Sequence, residues 1–257
     1  MQMLRRMHST FLVSFASSSA YATLGTMLVS VIILPLLEIL FAVLLGHDLG
    51  ARDAVRTAYA ATLVGAGLGV CSGIVGKIVT DRNLGVFQEV HQFRRVDVAY
   101  WAGSAVMPIL LVLPTTITSL GFITWLAGEA RAGFAMITAL TAVAIAIGVL
   151  VGIAMAGVGV ALSDPYQGAN YASALIPILV GVIVPSSVFP SWLATISWCM
   201  PMAGTVRALH AGLAGQPLAP ALIIGDLAVS AVWMLIGLGV VTIALRRMRA
   251  GHTFSAI

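Results

Sequence analysis

Two acidic residues are the main candidates for chemistry inside the apolar part of this chain. Glu38 and Asp226 are the only carboxylates within its long apolar segments, and Asp226 lies near the end of its segment. A carboxylate deep in an apolar environment is costly, so Glu38 is a candidate for a transport path or a catalytic step. Two simpler interpretations stay open: Glu38 reaches the nearer interface, or it pairs with Arg52 or Arg56.

The motifs that define common catalytic and nucleotide-binding sites are missing from the sequence. It contains no glycine loop ending in Gly-Lys-Ser/Thr, no His-Glu-x-x-His and no Gly-x-Ser-x-Gly. The five histidines are scattered and lie outside the middle of the apolar segments. We therefore predict that the chain is not an enzyme, has no catalytic residues, and itself binds no metal or cofactor.

The composition requires a membrane environment. Hydrophobic residues make up 60% of the 257 residues, charged residues make up 9%, and the mean hydropathy is +1.05. A soluble domain of this size cannot hide so much apolar surface, whereas a helix that crosses a bilayer needs roughly 20 apolar residues. We predict one all-α integral membrane domain over residues 1–257, with six transmembrane helices. These are Tyr21–Leu45, Thr57–Val79, Ala99–Leu126, Phe134–Leu162, Tyr171–Phe189 and Pro220–Leu245.

The basic residues predict how these helices are oriented. Nine of the 13 lysines and arginines fall on the side that carries both termini, and four fall on the other side. Because cytoplasmic loops carry the excess of positive charge, we predict a multi-pass protein of the cell (inner) membrane with both termini in the cytoplasm. Contacts with lipid headgroups account for these charges, so we predict no nucleic acid partner.

Small residues at four-residue spacing predict where helices approach each other closely. Gly65, Gly69 and Gly73 form such a row in the second segment, and Gly148 and Gly152 do so in the fourth. In bilayers, rows of this kind allow close backbone contact between helices. The rows predict helix packing and do not identify a substrate.

Two segments outside the spans have the pattern of an amphipathic helix. Residues 1–20 mix apolar and polar positions at helical spacing and predict a helix in the cytoplasmic interface. The polar gap at residues 80–98 places Leu84, Phe87 and Val90 on one helix face and polar residues on the other. A cytoplasmic helix between two spans is typical of a docking element for a soluble partner.

Residues 190–213 predict a different kind of element before the last span. Prolines, among them Pro190 and Pro201, interrupt the apolar run, so the segment is unsuited to crossing the bilayer. A short re-entrant element on the outer side fits, with its backbone satisfied by neighbouring helices. Phe189 and Trp192 lie at its start, and tryptophan is typical of the membrane interface.

The order of these features resembles the permease subunit of ABC-2 type exporters over essentially the whole chain. In that family an interfacial helix leads into a proline-containing first span, a coupling helix with the pattern Asp-Arg-Glu-x-Gly-Thr-x-Glu follows the second span, and a proline–tryptophan stretch precedes the last. The similar residues here are Leu34-Pro35-Leu36-Leu37, Asp81-Arg82-Asn83-Leu84-Gly85-Val86-Phe87-Gln88-Glu89, and Val188-Phe189-Pro190-Ser191-Trp192-Leu193 with Cys199-Met200-Pro201. The chain departs from the family pattern at Asn83 and Val86, and Phe93-Arg94-Arg95 replaces the usual proline after the coupling helix.

The resemblance implies a working unit of two permeases, identical or homologous, and two ATP-binding subunits. ATP and Mg²⁺ would bind to the partner ATPase, and the coupling helix would dock in a groove of that ATPase. The residues implied in ATPase coupling are Asp81, Arg82, Gly85, Phe87, Glu89, Arg94, Arg95 and Asp164. Glu38 and Pro35 are the candidates for the translocation path.

The substrate is expected to be hydrophobic or amphipathic. The spans are rich in Leu, Val, Ile, Ala and Gly, and only 7% of the residues are aromatic, which argues against a sugar-stacking channel. Export of a drug or a lipid, as by the daunorubicin-type exporters of the family, is the first hypothesis. The alternatives are an ATP-independent secondary transporter or membrane-embedded enzyme that relies on Glu38, and a membrane anchor that transports nothing.

Overall fold

The computed structural model describes residues 23–48, 53–93, 97–127, 134–183 and 188–249. Within these ranges the chain is helical and contains no strand, as the predicted all-α class requires. The predicted interfacial helix at residues 1–20 and the side chains of Arg94 and Arg95 lie outside the described residues. The helices are α1 Leu24–Asp48, α2 Ala54–Asn83, α3 Val86–Phe93, α4 Val98–Ala127, α5 Phe134–Ala161, α6 Gln167–Leu179, α7 Ser191–Trp198, α8 Ala203–Leu213 and α9 Pro220–Arg249.

Five helices of the described ranges are long and apolar enough to cross a bilayer, namely α1, α2, α4, α5 and α9. Helices α2, α4 and α9 each have 30 residues. That length corresponds to about 45 Å of helix, against a hydrocarbon core of roughly 30 Å. Five of the six predicted spans are therefore confirmed as helices of spanning length.

The structure corrects the fifth predicted span, Tyr171–Phe189. Helix α6 has 13 residues, about 20 Å of helix, which is too short to cross the hydrocarbon core alone. It is followed by Gly181 in the left-handed region, with φ 87°, and the Val182 N–H donates to the Pro177 carbonyl oxygen at 3.2 Å. This is the Schellman arrangement that terminates helices at a glycine.

The predicted re-entrant element at residues 190–213 consists of two short helices, α7 and α8, joined by a tight turn. Met202 in this turn has φ 71° and is fully buried. A Cβ added to Gly67, near the middle of α2, would lie 2.2 Å from the Met202 Cε atom. Helix α8 thus begins about halfway along α2, and it packs against α2, α5 and α9. That the element enters a bilayer stays a prediction.

Glycines bring α5 into backbone contact with α2 on one side and with α9 on the other. A Cβ added to Gly148 on α5 would lie 2.2 Å from the Gly67 carbonyl oxygen on α2. Further along α5, a Cβ added to Gly157 would lie 2.5 Å from the Gly237 carbonyl oxygen on α9. Contacts this close leave no room for a side chain, so α5 lies at the centre of the bundle.

The glycine rows identified in the sequence contact different neighbours. Gly152 packs on α2, where an added Cβ would lie 3.0 Å from a backbone Cα atom. Gly69 and Gly73 pack on α4, with side-chain carbons 3.0 and 2.8 Å from an added Cβ. Gly65 faces Glu38, whose Oε2 atom would lie 3.6 Å from an added Cβ. The row on α2 therefore joins α4 and borders the region around Glu38.

Candidate functional site

The first candidate site is the polar elbow, which we define as residues 80–93 together with the first turn of α4, Asp97–Trp101. Gly85 has φ 80°, and this left-handed residue turns the chain from α2 into α3. The Leu84 N–H donates to the Thr80 carbonyl oxygen at 3.0 Å and closes the last turn of α2. The predicted coupling segment is thus the end of one helix, a tight turn and a second, short helix.

Asp81 fastens α2 to α4. Its side chain accepts a hydrogen bond from the Tyr100 hydroxyl at 2.7 Å and forms an ion pair with Lys77, one turn earlier on α2. The residue is only 4% exposed. A buried carboxylate whose oxygens are satisfied in this way is a structural link between helices. Asp81 therefore acts in the elbow by holding α2 and α4 together, and its carboxylate is covered.

Arg82 links the end of α2 to the end of α5. Its Nη1 atom donates hydrogen bonds to the carbonyl oxygens of Gly159 and Leu162, both at 3.0 Å. The last carbonyls of a helix have no intrahelical partner, and a positive charge is favourable at this end of the helix dipole. The elbow is therefore connected mechanically to α5 as well as to α2 and α4.

Phe87 anchors α3 through an aromatic cluster. Its side chain is 1% exposed, and its ring stacks on His91 with a centroid separation of 4.3 Å. The rings of Tyr100 and Trp101 meet it edge-on, at centroid separations of 6.2 and 6.5 Å. Aromatic pairs contribute about 0.5–1.5 kcal/mol each beyond the burial of their area. One face of α3 is therefore held firmly against α4.

The apolar face predicted from Leu84, Phe87 and Val90 is wrong for Leu84. This residue is 72% exposed because it precedes the turn at Gly85 and does not share the α3 helix. His91 takes an inward position instead, and its Nδ1 atom lies 3.0 Å from the Phe87 carbonyl oxygen. The turn thus removes one apolar residue from the buried face and leaves it at the surface.

The exposed residues at the Gly85 turn and along the described part of α3, which we call the elbow surface, are Asn83, Leu84, Val86 and Glu89. Leu84 and Val86 are apolar, and Glu89 adds a negative charge one turn further along the chain. Exposed apolar side chains beside a charged group are typical of a surface that contacts another protein. A docking partner can reach these four side chains.

Asp164 lies in the turn between α5 and α6, on the same end of the bundle as the elbow. It is exposed, and its carboxylate accepts a hydrogen bond from the Tyr166 N–H at 2.9 Å. The residue follows by two positions the Leu162 carbonyl that Arg82 contacts. Arg82 therefore connects both of the segments that the sequence predicts to contact the partner.

The second candidate site is a cavity of about 250 Å³ between α1, α2 and α4, which we call the Glu38 cavity. Pro35 and Glu38, the residues predicted for the translocation path, both line it. A π-helical turn at Val29–Ile33 directly precedes Pro35 on α1, and such turns are frequent at functional sites. Glu38 lies about 15 Å along α1 from the end of the helix at Asp48. The carboxylate is therefore near the middle of a span.

Asp226 caps α8, a role that no local pattern predicts. Its Oδ2 atom accepts hydrogen bonds from the Thr205 N–H at 2.8 Å and from the Thr205 hydroxyl at 2.5 Å. The carboxylate also lies near the backbone of Met202 and Gly204, at the start of α8. A helix that begins inside a bundle has no water for its first N–H groups. The carboxylate from α9 satisfies the N–H of Thr205 and holds the start of α8 in place.

The predicted outer residues differ in exposure. Trp192 is 64% exposed, as expected of a tryptophan at a membrane interface. Pro190 directly precedes α7, and Phe189 is partly exposed. Pro201 is buried in the turn before α8. The start of this element and its central turn therefore face different surroundings.

His210 lies near the other end of α8, close to Arg56 and Asp53 at the start of α2. Burial, and after it the charge of Arg56, lowers the pKa of His210 to about 4, against an opposing effect of Asp53. The imidazole is therefore neutral in the folded protein at neutral pH.

We expect acid to destabilise the fold through His210. Between about pH 6.5 and about pH 4 the unfolded chain protonates this histidine whereas the folded chain does not, so the free energy of unfolding falls with the pH. Thermal unfolding in detergent, followed from about pH 7.5 to about pH 4.5, should show His210→Gln gaining in Tm relative to the wild type as the pH falls. A difference in Tm that stays constant with pH would contradict this assignment.

The fold and the two sites define a multi-pass helical membrane protein in which a polar elbow joins three long helices, two of which also line a cavity. The chain belongs to the ABC-2 type transporter family, whose sequence profile matches residues 8–214. The match includes both the elbow and the Glu38 cavity. No curated protein and no solved structure matches the chain. As a member of this family the chain is a permease subunit, which is not itself catalytic, and membership implies association with an ATP-binding subunit.

Proposed function

We propose that this permease works with two copies of a separate ATP-binding subunit and exports a hydrophobic or amphipathic small molecule, drug or lipid. A second permease, identical or homologous, completes the unit, and the daunorubicin-type exporters of the family are the analogue for such export. ATP and Mg²⁺ bind to the ATPase subunits. Both termini and the elbow face the cytoplasm.

The observation that supports this proposal most directly is the construction of the elbow. It presents exposed Leu84, Val86 and Glu89 on a helix and turn whose inner side is fixed by buried groups. Asp81 and Phe87 tie it to α4, and the hydrogen bonds of Arg82 tie it to α5. A surface backed by fixed contacts moves as one body with the helices that hold it.

The elbow and the Glu38 cavity share two helices, α2 and α4. Two of the three walls of the cavity come from α2 and α4, and these are the helices that the elbow joins. When the ATPase subunits close on ATP, a push on the elbow surface tilts α2 and α4 relative to α1. Such a movement changes the shape of the cavity and exposes its content to the other side of the membrane.

A second candidate function is ATP-independent transport, or a membrane-embedded reaction, that relies on Glu38. The position of Glu38 in a cavity near the middle of a span favours it. Transport by proteoliposomes that contain only this chain, abolished by Glu38→Gln, would establish this second candidate. Transport that needs both ATP and an ATPase subunit would exclude it.

Substitutions on the elbow surface are expected to uncouple the ATPase without unfolding the permease. Leu84→Asp combined with Glu89→Arg should reduce stimulation of the ATPase by at least about fivefold, because a few central residues dominate protein interfaces. The Tm should stay close to that of the wild type, since exposed substitutions change stability by about 0.5 kcal/mol or less. ATP hydrolysis by the reconstituted complex and thermal unfolding of the permease measure the two quantities.

Two further variants separate docking from folding. Asp48→Arg reverses an exposed acid at the opposite end of the bundle, where the Asp48 side chain is 81% exposed, and it should leave stimulation and Tm unchanged. Arg82→Ala should lower both, because two carbonyls at the end of α5 lose their donor. Wild-type stimulation in the Leu84→Asp, Glu89→Arg double variant would rule out docking through the elbow surface.

A further inference from the structure

The Glu38 cavity contains a buried hydroxyl that the described part of the protein does not satisfy. The Thr62 hydroxyl is buried without a hydrogen-bond partner, and Thr62 is only 7% exposed. The buried hydroxyl residues Thr116 and Ser119 line the same cavity from α4. A buried polar group without a partner costs about 1–3 kcal/mol. A cavity that retains such groups is suited to a ligand that bonds to them.

The carboxylate of Glu38 lacks a positive partner in the described part of the chain. The ion pairs found there join Lys77 to Asp81 and His47 to Asp48. Arg56, one of the partners considered from the sequence, lies nine positions before Gly65 on α2, which is about 13 Å of helix away from the residue that faces Glu38. An uncompensated carboxylate at this depth is strongly unfavourable, so the cavity is electrostatically suited to a cation.

The size and lining of the cavity favour an organic cation over a metal ion. Hard cations take about six or more oxygen ligands in a small cage, whereas this cavity encloses about 250 Å³. The side chains of Val31, Ile39 and Val112 contribute apolar wall. A primary ammonium has three N–H donors, which match one carboxylate and the neighbouring hydroxyls, and its hydrocarbon part fits the apolar wall.

The cavity is accessible from the lipid side of α1. Leu34, which lines the cavity, is 50% exposed, and its neighbour Leu37 is 53% exposed. Only 11% of the most apolar stretch of α1 is buried. This face of α1 therefore leaves the side of the cavity open to an amphipathic molecule dissolved in the bilayer.

We infer that the Glu38 cavity binds the protonated amine of a lipophilic amine, with Glu38 as the counter-ion and the Thr62 hydroxyl as a hydrogen-bond acceptor. The inference deepens the proposed function and rests on it, because it assigns the charge of the exported molecule. It restricts the wide class of hydrophobic and amphipathic cargo to molecules that carry a positive amine on an apolar body.

The test uses the full-length permease in lipid nanodiscs and the fluorescent amine dansylcadaverine. Its N-acetylated form, which has the same body and no charge, is the matched control probe. Glu38→Gln and Thr62→Val should each weaken binding of the amine by about tenfold or more, because hydrogen bonds to charged groups are worth about 1.5–3 kcal/mol and each 1.4 kcal/mol is about tenfold. Asp48→Asn, which removes an exposed carboxylate from the same helix outside the cavity, should leave binding unchanged.

Three results would overturn the inference. These are equal binding of the amine to wild type and Glu38→Gln, equal binding of the amine and its acetylated form to the wild type, and displacement of the amine by potassium at similar concentration.

The proposed function is tested separately, by ATPase stimulation in the same nanodiscs. If stimulation of the ATPase depends on Glu89 but the affinity for the amine does not change in Glu38→Gln, the amine site is wrong and the proposed exporter function is retained. If no ATPase associates, the exporter fails while amine binding is still measured on the permease alone.

Discussion

Replacing Asp226 with alanine is expected to lower the free energy of unfolding by roughly 3 kcal/mol or more. The substitution removes the acceptor for both the Thr205 N–H and the Thr205 hydroxyl. Each buried donor left unpaired costs about 1–3 kcal/mol, and loss of a helix cap costs about 0.5–2 kcal/mol. Thermal unfolding of the detergent-solubilised protein measures the loss, which should also reduce the yield of monodisperse protein.

Two matched substitutions on α9 identify the capping role of Asp226. Asp226→Asn keeps one acceptor oxygen and should retain most of the stability lost in the alanine variant. Ser230→Ala removes a buried hydroxyl that donates to the Asp226 backbone carbonyl at 2.8 Å within the same helix. Such local bonds contribute little to helix stability, so this variant should unfold close to the wild type. Equal Tm values for Asp226→Ala and Ser230→Ala would show that the carboxylate does not hold α8.

The cap explains why the region before the last span was difficult to predict. The sequence shows that residues 190–213 contain too many prolines to cross a membrane. This conclusion needs only the residues of the segment itself. The acceptor for the start of α8 comes from Asp226, 21 residues after Thr205, and no pattern of neighbouring residues indicates that contact. The end of α6 at Gly181 was equally difficult to predict, because the apolar run in the sequence continues beyond Gly181.

The long helices could be predicted because length and apolarity are local properties of the chain. Five of the six predicted spans correspond to helices of spanning length. The placement of Pro35 and Glu38 in one cavity also follows from the sequence, since residues three apart lie on the same side of a helix. The hydroxyls of Thr62 and Thr116 complete that cavity from α2 and α4, and their convergence depends on packing that hydropathy does not describe.

In the elbow, the sequence predicted the segment but not the direction of its side chains. The prediction that Asp81 and Arg82 take part in docking rests on the similarity of this segment to the coupling helix of the family. The structure turns both toward other helices, through Tyr100 and the carbonyls at the end of α5. Glu89 is the described residue of α3 that remains both charged and exposed. Only the tertiary contacts distinguish residues that hold the elbow from residues that a partner can touch.

Gly148→Val is expected to prevent the correct packing of α5 on α2. Even the Cβ of an alanine at this position would lie 2.2 Å from the Gly67 carbonyl oxygen, whereas ordinary contacts begin near 3.4 Å. The obstacle is backbone on both sides, so no side chain can rotate away and the two helices must separate. Overpacking of a core costs about 1–3 kcal/mol, occasionally more, and this contact lies at the centre of the bundle. We therefore expect a loss of folded protein, measured by size-exclusion chromatography of the detergent extract.

Gly76→Ala on α2 is the control, because an added Cβ there meets nothing within 4 Å. Alanine favours helix over glycine by about 1 kcal/mol, so this variant should unfold at the wild-type temperature or above. The sequence placed Gly148 in a packing row but missed its partner Gly67, since Gly67 is two positions from Gly65 and points to another face of α2. If Gly148→Val yields as much folded protein as Gly76→Ala, α2 and α5 do not touch through their glycines. The central contact of the fold would then be wrong, and with it the connection from the elbow through Arg82 to α5.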